Sequence, residues 1–327
     1  MKNEVNNTNK TLGVYAAYNN DNTICMNSSS GGVFWPIAKC IISKGGIVYG
    51  AMYEKPFDVF HGRADTLDKC EAFRKSKYLQ SQMGECYNAV KEDLANGKYV
   101  LFSGTPCQVA ALYKCIGTQR SPNLVTTEVV CHGVPSQLVY KKYIEYLEKK
   151  YNSRIISTCW RDKRGGFGWN PNHISFELKN NKRICTTSEK NDFQFGFLRN
   201  FYLRESCYHC KYAKLPRIAD ITLADFWGYT GELLEKNENM GISAVIVSSL
   251  QGQKVWNEIK QELNYHTVEL DYLKDRSRHV WIHPEENPKR MRLMKNIENK
   301  SWSMINREMR GNYLYRAIRH IYHIIMH

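Results

Sequence analysis

The chain of 327 residues carries a formal net charge of +14 at pH 7 and a pI near 9.2. That balance calls for nucleic acid, a phosphate-bearing cofactor, an acidic electron-carrier protein or an anionic substrate, or else a basic solvated surface with no partner; the Lys and Arg residues, however, are spread without a tail or a recognisable nucleic-acid module. No run of eighteen apolar residues and no secretory pattern is present, which predicts a cytoplasmic protein, and eleven cysteines, an odd number, argue against a disulfide framework and for thiols kept reduced.

In chain order, residues 1–11 are polar and expected to be disordered. In MNSSSGGVFW, Ser28, Ser29 and Ser30 are placed to cap a helix beginning near Gly31. Gly31 and Gly32 would let another group approach its first amides, so the segment reads either as a phosphate cradle or as a plain capped helix. Gly45 and Gly46 end that helix, and a strand follows over 47–53. In FRKSKY, Lys75 and Lys77 flank Ser76 ahead of Tyr78. Two ammonium groups there could meet a diphosphate or the electron-rich edge of a reduced flavin, or could be ordinary surface lysines.

A helix over 85–96, a strand over 98–103 and a helix from Pro106 come next. The turn carries Thr105 and Gln108, read as free to hydrogen-bond a ligand at that end of the sheet. A second apolar strand ends before Cys131, and 136–151 has helical spacing. Strands over 154–160 and 173–178 flank WRDKRGGFGWNP. Its Arg161, Lys163 and Arg164 either close over an anionic or planar ligand or turn a solvated hairpin. ITLADFWG reads as a strand with Asp225 at its end, 242–249 as a buried strand and 251–263 as a helix. The tail LYRAIRHIYHIIMH is amphipathic and cationic, suited to core or interface packing or to a membrane surface.

The cysteines sort by surroundings. Cys207 and Cys210 form a C-x-x-C turn, which offers two thiolates from one loop to a soft metal or iron–sulfur centre, although zinc knuckles and redox pairs share that spacing. Lys211, Lys214 and Arg217 would offset thiolate charge. Cys107 and Cys131 are the candidates for the remaining ligands. Each follows a buried strand and precedes a helix, where α/β proteins place ligands and where helix amides favour thiolate. Cys25, Cys40, Cys70, Cys86, Cys115, Cys159 and Cys185 read as small buried or incidental residues. His132 and His209, next to proposed ligands, read as supporting or surface residues.

Taken together, SSSGGVF, KSKYLQS, VLFSGTPCQVAAL, VVCHGVPS, WRDKRGGFGW, the C-x-x-C stretch with ADITLADFWG, and MGISAVIV resemble the coenzyme F-420 hydrogenase/dehydrogenase beta subunit family of flavin and iron–sulfur proteins. The resemblance runs in order from Ser28 to beyond Ser249. It implies FAD on a mixed α/β domain beside a 4Fe-4S cluster, with Cys107, Cys131, Cys207 and Cys210 as cluster ligands and SSSGG, KSKY and GTPCQ as walls of the FAD site. Plant relatives reduce a chlorophyll derivative, so membership implies cofactors more closely than substrate.

Two departures stand out. Many relatives carry an N-terminal ferredoxin-like segment, whereas here MKNEVNNTNK leads directly to GVYAAYNND, so electrons are expected from an external carrier. Ala224 stands where relatives commonly have Gly before the Asp of GDFWG.

The expected fold is α/β (mixed α+β): a mixed β-sheet flanked by helices, with irregular cysteine-bearing loops. Residues 12–235 are expected to form the FAD and iron–sulfur catalytic domain, and 236–327 an α/β extension with a basic helical tail. The alternative function is a zinc-stabilised binding protein that uses the same cysteines structurally and its charge to hold nucleic acid or an acidic partner.

Overall fold

The computed structural model describes residues 10–55, 57–117 and 120–311. The disordered start expected for residues 1–11 falls almost wholly outside them, and the cationic tail lies outside them altogether. The strands are β1 (Gly13–Asn19), β2 (Ile47–Lys55), β3 (Asp58–Ala64), β4 (Val100–Gly104), β5 (Leu124–Val129), β6 (Ile155–Trp160), β7 (His173–Leu178), β8 (Arg183–Thr187), β9 (Ile221–Asp225), β10 (Ser243–Val247) and β11 (Leu263–Thr267). Among the helices of the described residues are α1 (Phe34–Ser43), α2 (Cys86–Ala95), α3 (Pro106–Ile116), α4 (Gln137–Tyr151), α5 (Asp192–Leu198), α6 (Leu250–Ile259) and α7 (Trp302–Arg310).

Eight strands form one mixed sheet in the order β11-β1-β10-β9-β5-β4-β2-β3. The central run β2, β4, β5 and β9 is parallel, and the flanking pairs are antiparallel. Val100, Leu101 and Phe102 are fully buried, as expected of a parallel strand covered on both faces. Alternation divides them: Leu101 packs with Val48, Val125, Ile221 and Val245 under α1 and α6, while Val100 and Phe102 face α2 and α3. The expected mixed sheet with flanking helices is therefore present.

A second, three-stranded sheet, β6-β7-β8, buries Trp160, Ile174 and Phe176 against α4, α5 and Trp302 of α7. Residue 236 separates β9 from β10, yet these strands pair with each other, so the large sheet runs across that point.

Helix starts obey local chemistry. Ser136 caps α4 by accepting from Val139 N–H, Ser249 caps α6, and Pro106 opens α3. The helix after SSSGG differs from its expectation. It begins at Phe34 with Val33 at the cap position and no side-chain cap, because the serines are engaged elsewhere. Ser28 Oγ donates to Ile24 O, and Ser30 Oγ donates to Ile242 O.

Candidate functional site

The C-terminal ends of the parallel strands point the loops at one region, as is usual for ligand sites in α/β sheets. Cys107 follows β4 in the first turn of α3, and Cys131 follows β5. Backbone pairing then draws the C-x-x-C segment in: Ser136 N–H donates to Tyr202 O at 2.8 Å and Arg204 N–H to Val134 O at 2.7 Å. Gly133 permits this approach. It has φ +140°, and a Cβ there would sit 2.9 Å from Leu203 and 3.5 Å from the Cβ of Cys207.

The result is a recess lined by Cys107, Cys131, Cys207 and Cys210 together with His132, Arg217 and His279. Four sulfurs separated by up to about a hundred residues of sequence thus face one space. Val134 N–H points at Cys207 Sγ from 3.4 Å, and Thr105 Oγ1 lies 3.2 Å from Cys107 Sγ. Burial, with the Cys107 and Cys207 sulfurs close by, pushes the Cys131 thiol up to about 12. Burial likewise raises Cys207. Such thiols are held protonated until a cationic centre makes thiolate favourable.

The imidazoles of the recess are neutral. Burial and the facing ring of His279, 4.8 Å away, push His132 down to about 4. Its Nε2–H donates to Phe197 O, and the Phe197 ring lies 5.1 Å from that of Tyr78. His132 therefore supports the recess from beside Cys131, as expected, whereas His279 gave no signal in the sequence.

Beyond Tyr78 the SSSGG and KSKY loops meet. Ser29 Oγ and Ser76 Oγ share a hydrogen bond at 2.9 Å, and both residues are half-buried. Arg74, overlooked in the sequence reading, donates to Ser28 Oγ and Ile24 O, pairs with Glu71 and lies over the Trp35 ring. Gly31 is required by its own chain, since a Cβ there would meet Ala17 O at 2.4 Å. The first amides of α1 have no side-chain cap. The uncapped helix start and the two hydroxyls are donor types that suit a phosphate-bearing ligand, while the Lys75 ammonium is directed at Cys159 Sγ.

Several sequence readings need correction. Ser28, Ser29 and Ser30 do not cap a helix. Thr105 and Gln108 are not free: they form a capping box, with Gln108 Oε1 accepting from Thr105 N–H at 2.9 Å and from its hydroxyl at 3.0 Å, and Gln108 Nε2 turned to Met83.

Lys77 directs its ammonium to the carbonyls of Ala72, Arg74 and Lys75, and burial lowers it to about 7. Lys75 reaches Cys159 Sγ at 3.3 Å. The loop after Trp160 is a hairpin connection of two parts: Arg161, Asp162 and Lys163 are buried, while Arg164, Gly165 and Gly166 are exposed. Lys163 Nζ donates to Cys25 O and Ser30 O, each at 2.8 Å, and to Met240 O. Arg161 pairs with Asp225, which also accepts from Trp169 Nε1.

A family model for the C terminus of the coenzyme F420 hydrogenase/dehydrogenase beta subunit matches residues 97–272, just over half of the sequence. The chain belongs to this family. The matched span contains all four cysteines of the recess, while His279 on its rim lies beyond it. As a member of the F420 hydrogenase/dehydrogenase beta subunit family, the chain is an oxidoreductase-type subunit. Among solved structures, a chain from the xenon-derivatised F420-reducing NiFe hydrogenase complex of Methanosarcina barkeri shares the fold, with a TM-score of 0.56 and 17% identity over 86% of this chain and 91% of that one. A search of curated proteins returns no match. Among the described residues, no helix is long and apolar enough to cross a membrane.

Proposed function

We propose that this family member is an iron–sulfur flavoprotein oxidoreductase, with Cys107, Cys131, Cys207 and Cys210 holding a 4Fe-4S cluster and the SSSGG and KSKY loops binding FAD. When bound, the cluster supplies one-electron transfer and the flavin hydride transfer to or from a small acidic or planar substrate. The observation that carries this reading is the convergence of four sulfurs on one recess.

The donor set fits the group. Soft thiolates suit iron–sulfur chemistry, and Val134 N–H is directed at a sulfur, the type of contact that tunes cluster potential. A single zinc ion would gather its four sulfurs to about 3.8 Å of one another, from Zn–S bonds of about 2.3 Å. Among the described residues no three His, Cys, Asp or Glu side chains come together in that way.

On the other wall, Ser29, Ser76, Lys75 and the uncapped amides of α1 would bind the flavin diphosphate, with Arg74 fixing Ser28. Lys77, Lys163, Thr105 and Gln108 shape that wall from behind rather than contact the ligand. Tyr78 and Phe197 fill the space between the two sites and exclude water from it. Residues 12–235 carry all of these proposed ligands, and the 236–327 extension completes the sheet through β10 and β11.

An external electron carrier, a ferredoxin-like protein or a reduced cofactor, would approach the recess, where Lys211 and Lys214 are exposed. The cysteines are free thiols, which suits a reducing compartment and supports a cytoplasmic location.

The test is anaerobic purification followed by identification of the released chromophore and of the metal. The reading expects FAD with iron and sulfide. One zinc per chain with neither flavin nor iron would favour the zinc-stabilised binding protein instead.

A further inference from the structure

This inference rests on the cluster reading above. Arg217 lines the recess beside the four cysteines and is 1% exposed. Its Nε donates to Glu128 Oε1 at 2.6 Å and its Nη1 to Val280 O at 2.8 Å. Glu128 is wholly buried on β5, three residues before Cys131, and also accepts from Thr222 Oγ1 at 2.9 Å. A positive charge therefore borders the recess, cancelled by a carboxylate directly behind it.

That arrangement is costly as a purely structural device. Burying an ion pair gives little net stability over apolar packing, so the pair is not explained by stability alone. Burial raises the Glu128 carboxyl despite Arg217. The groups facing it are few. Arg217 and Thr222 bind it, Ile218 N–H reaches it from the backbone, and Tyr113 approaches from α3 with Asp220 and Arg120 beyond. On the recess side stand the cysteines with His132 and His279, both imidazoles shifted toward the neutral form.

We propose that Glu128 is the proton acceptor that balances electron entry into the recess. One electron arrives from the external carrier, and one proton from water passes to the Glu128 carboxylate, which then no longer opposes the Arg217 charge beside the added negative charge. Net charge in the low-dielectric interior is then unchanged, and electron affinity depends on proton activity. Glu128 acts through Arg217 and is a positioning residue, not one that touches the cluster.

The experiment is an EPR-monitored redox titration of the loaded protein at several values between about pH 6 and 9. The wild-type midpoint potential is expected to fall with rising pH, approaching about 59 mV for each tenfold change in proton activity, the one-electron equivalent. In Glu128→Gln the potential should be independent of pH and, at the alkaline end, higher than that of wild type. Thr222→Val, which removes one hydrogen bond from the carboxylate, should move the sloping region to higher pH and serves as the second variant should Glu128→Gln fail to fold. A cluster whose potential is flat with pH in wild type, or equally sloped in Glu128→Gln, overturns the proposal and leaves the cluster reading standing. Protein without iron or sulfide in the same samples overturns both.

Discussion

Ser29 and Ser76 are 47 positions apart in sequence, yet their hydroxyl oxygens lie 2.9 Å from each other. The bond joins the loop before α1 to the loop after Phe73, and it sets two hydroxyls side by side where the helix amides lack a side-chain cap. Neither SSSGG nor KSKY is specific alone; their meeting is what makes a wall.

Replacing either serine with Ala removes one donor from the proposed flavin site. Each change is expected to weaken FAD binding by about 5- to 30-fold, corresponding to about 1–2 kcal/mol per hydrogen bond. The double variant should lose less than the sum, because the two hydroxyls act on each other. Fluorescence titration of the apoprotein with FAD measures this, and unchanged affinity in both single variants would remove the pair from the site.

Lys163→Met tests the buried clamp. It leaves the carbonyls of Cys25, Ser30 and Met240 without their shared donor, so a loss of roughly 2–4 kcal/mol of stability is expected at about 1 kcal/mol for each carbonyl. Lys214→Met, at an exposed position, should change stability by less than about 0.5 kcal/mol. Urea unfolding compares the two. Equal midpoints would show that the clamp does not hold the loops.

His61, together with His132, contributes to the dependence on pH. Burial lowers its pKa to about 4, with Nε2–H donating to Ser103 O and Nδ1 against Ser81 Oγ. A depressed histidine stabilises the fold above its unfolded pKa of about 6.5, and that contribution is lost as pH falls toward the folded value. The unfolded chain binds the proton first, so stability should decline from about pH 6.5 to about pH 4 by up to about 3 kcal/mol. His61→Gln should flatten this slope in denaturant titrations; a slope equal to that of wild type would place the acid sensitivity elsewhere.

Much of the fold was legible because period and local chemistry agree. The all-apolar Val100–Phe102 run, Ser136 before an amphipathic helix and Pro106 at a helix start each specify their element within a few residues of sequence. The cysteines were legible for the same reason, since strand-to-helix turns identify two of them and a C-x-x-C the others.

What escaped depends on partners remote in sequence. Nothing near Lys163 announces that its acceptors are carbonyls of residues 25, 30 and 240, so the loop read equally as a ligand clamp or a solvated hairpin. Thr105 and Gln108 could have been paired from the T-x-x-Q spacing, a capping-box pattern that was read instead as a free donor set. Glu128 carried one signal, a carboxylate at an inward position of an otherwise buried strand, but its partner lies 89 positions away.

The central claim is tested most directly by counting iron and acid-labile sulfide in the anaerobically purified chain and in Cys131→Ser and Cys185→Ser. Cys131 lines the recess, while Cys185 is half-buried on β8 in the separate three-stranded sheet. About four irons and four sulfides per chain are expected in wild type and in Cys185→Ser, with loss of most of both in Cys131→Ser. Full iron in Cys131→Ser, or zinc in place of iron in the wild-type chain, would contradict a four-cysteine cluster.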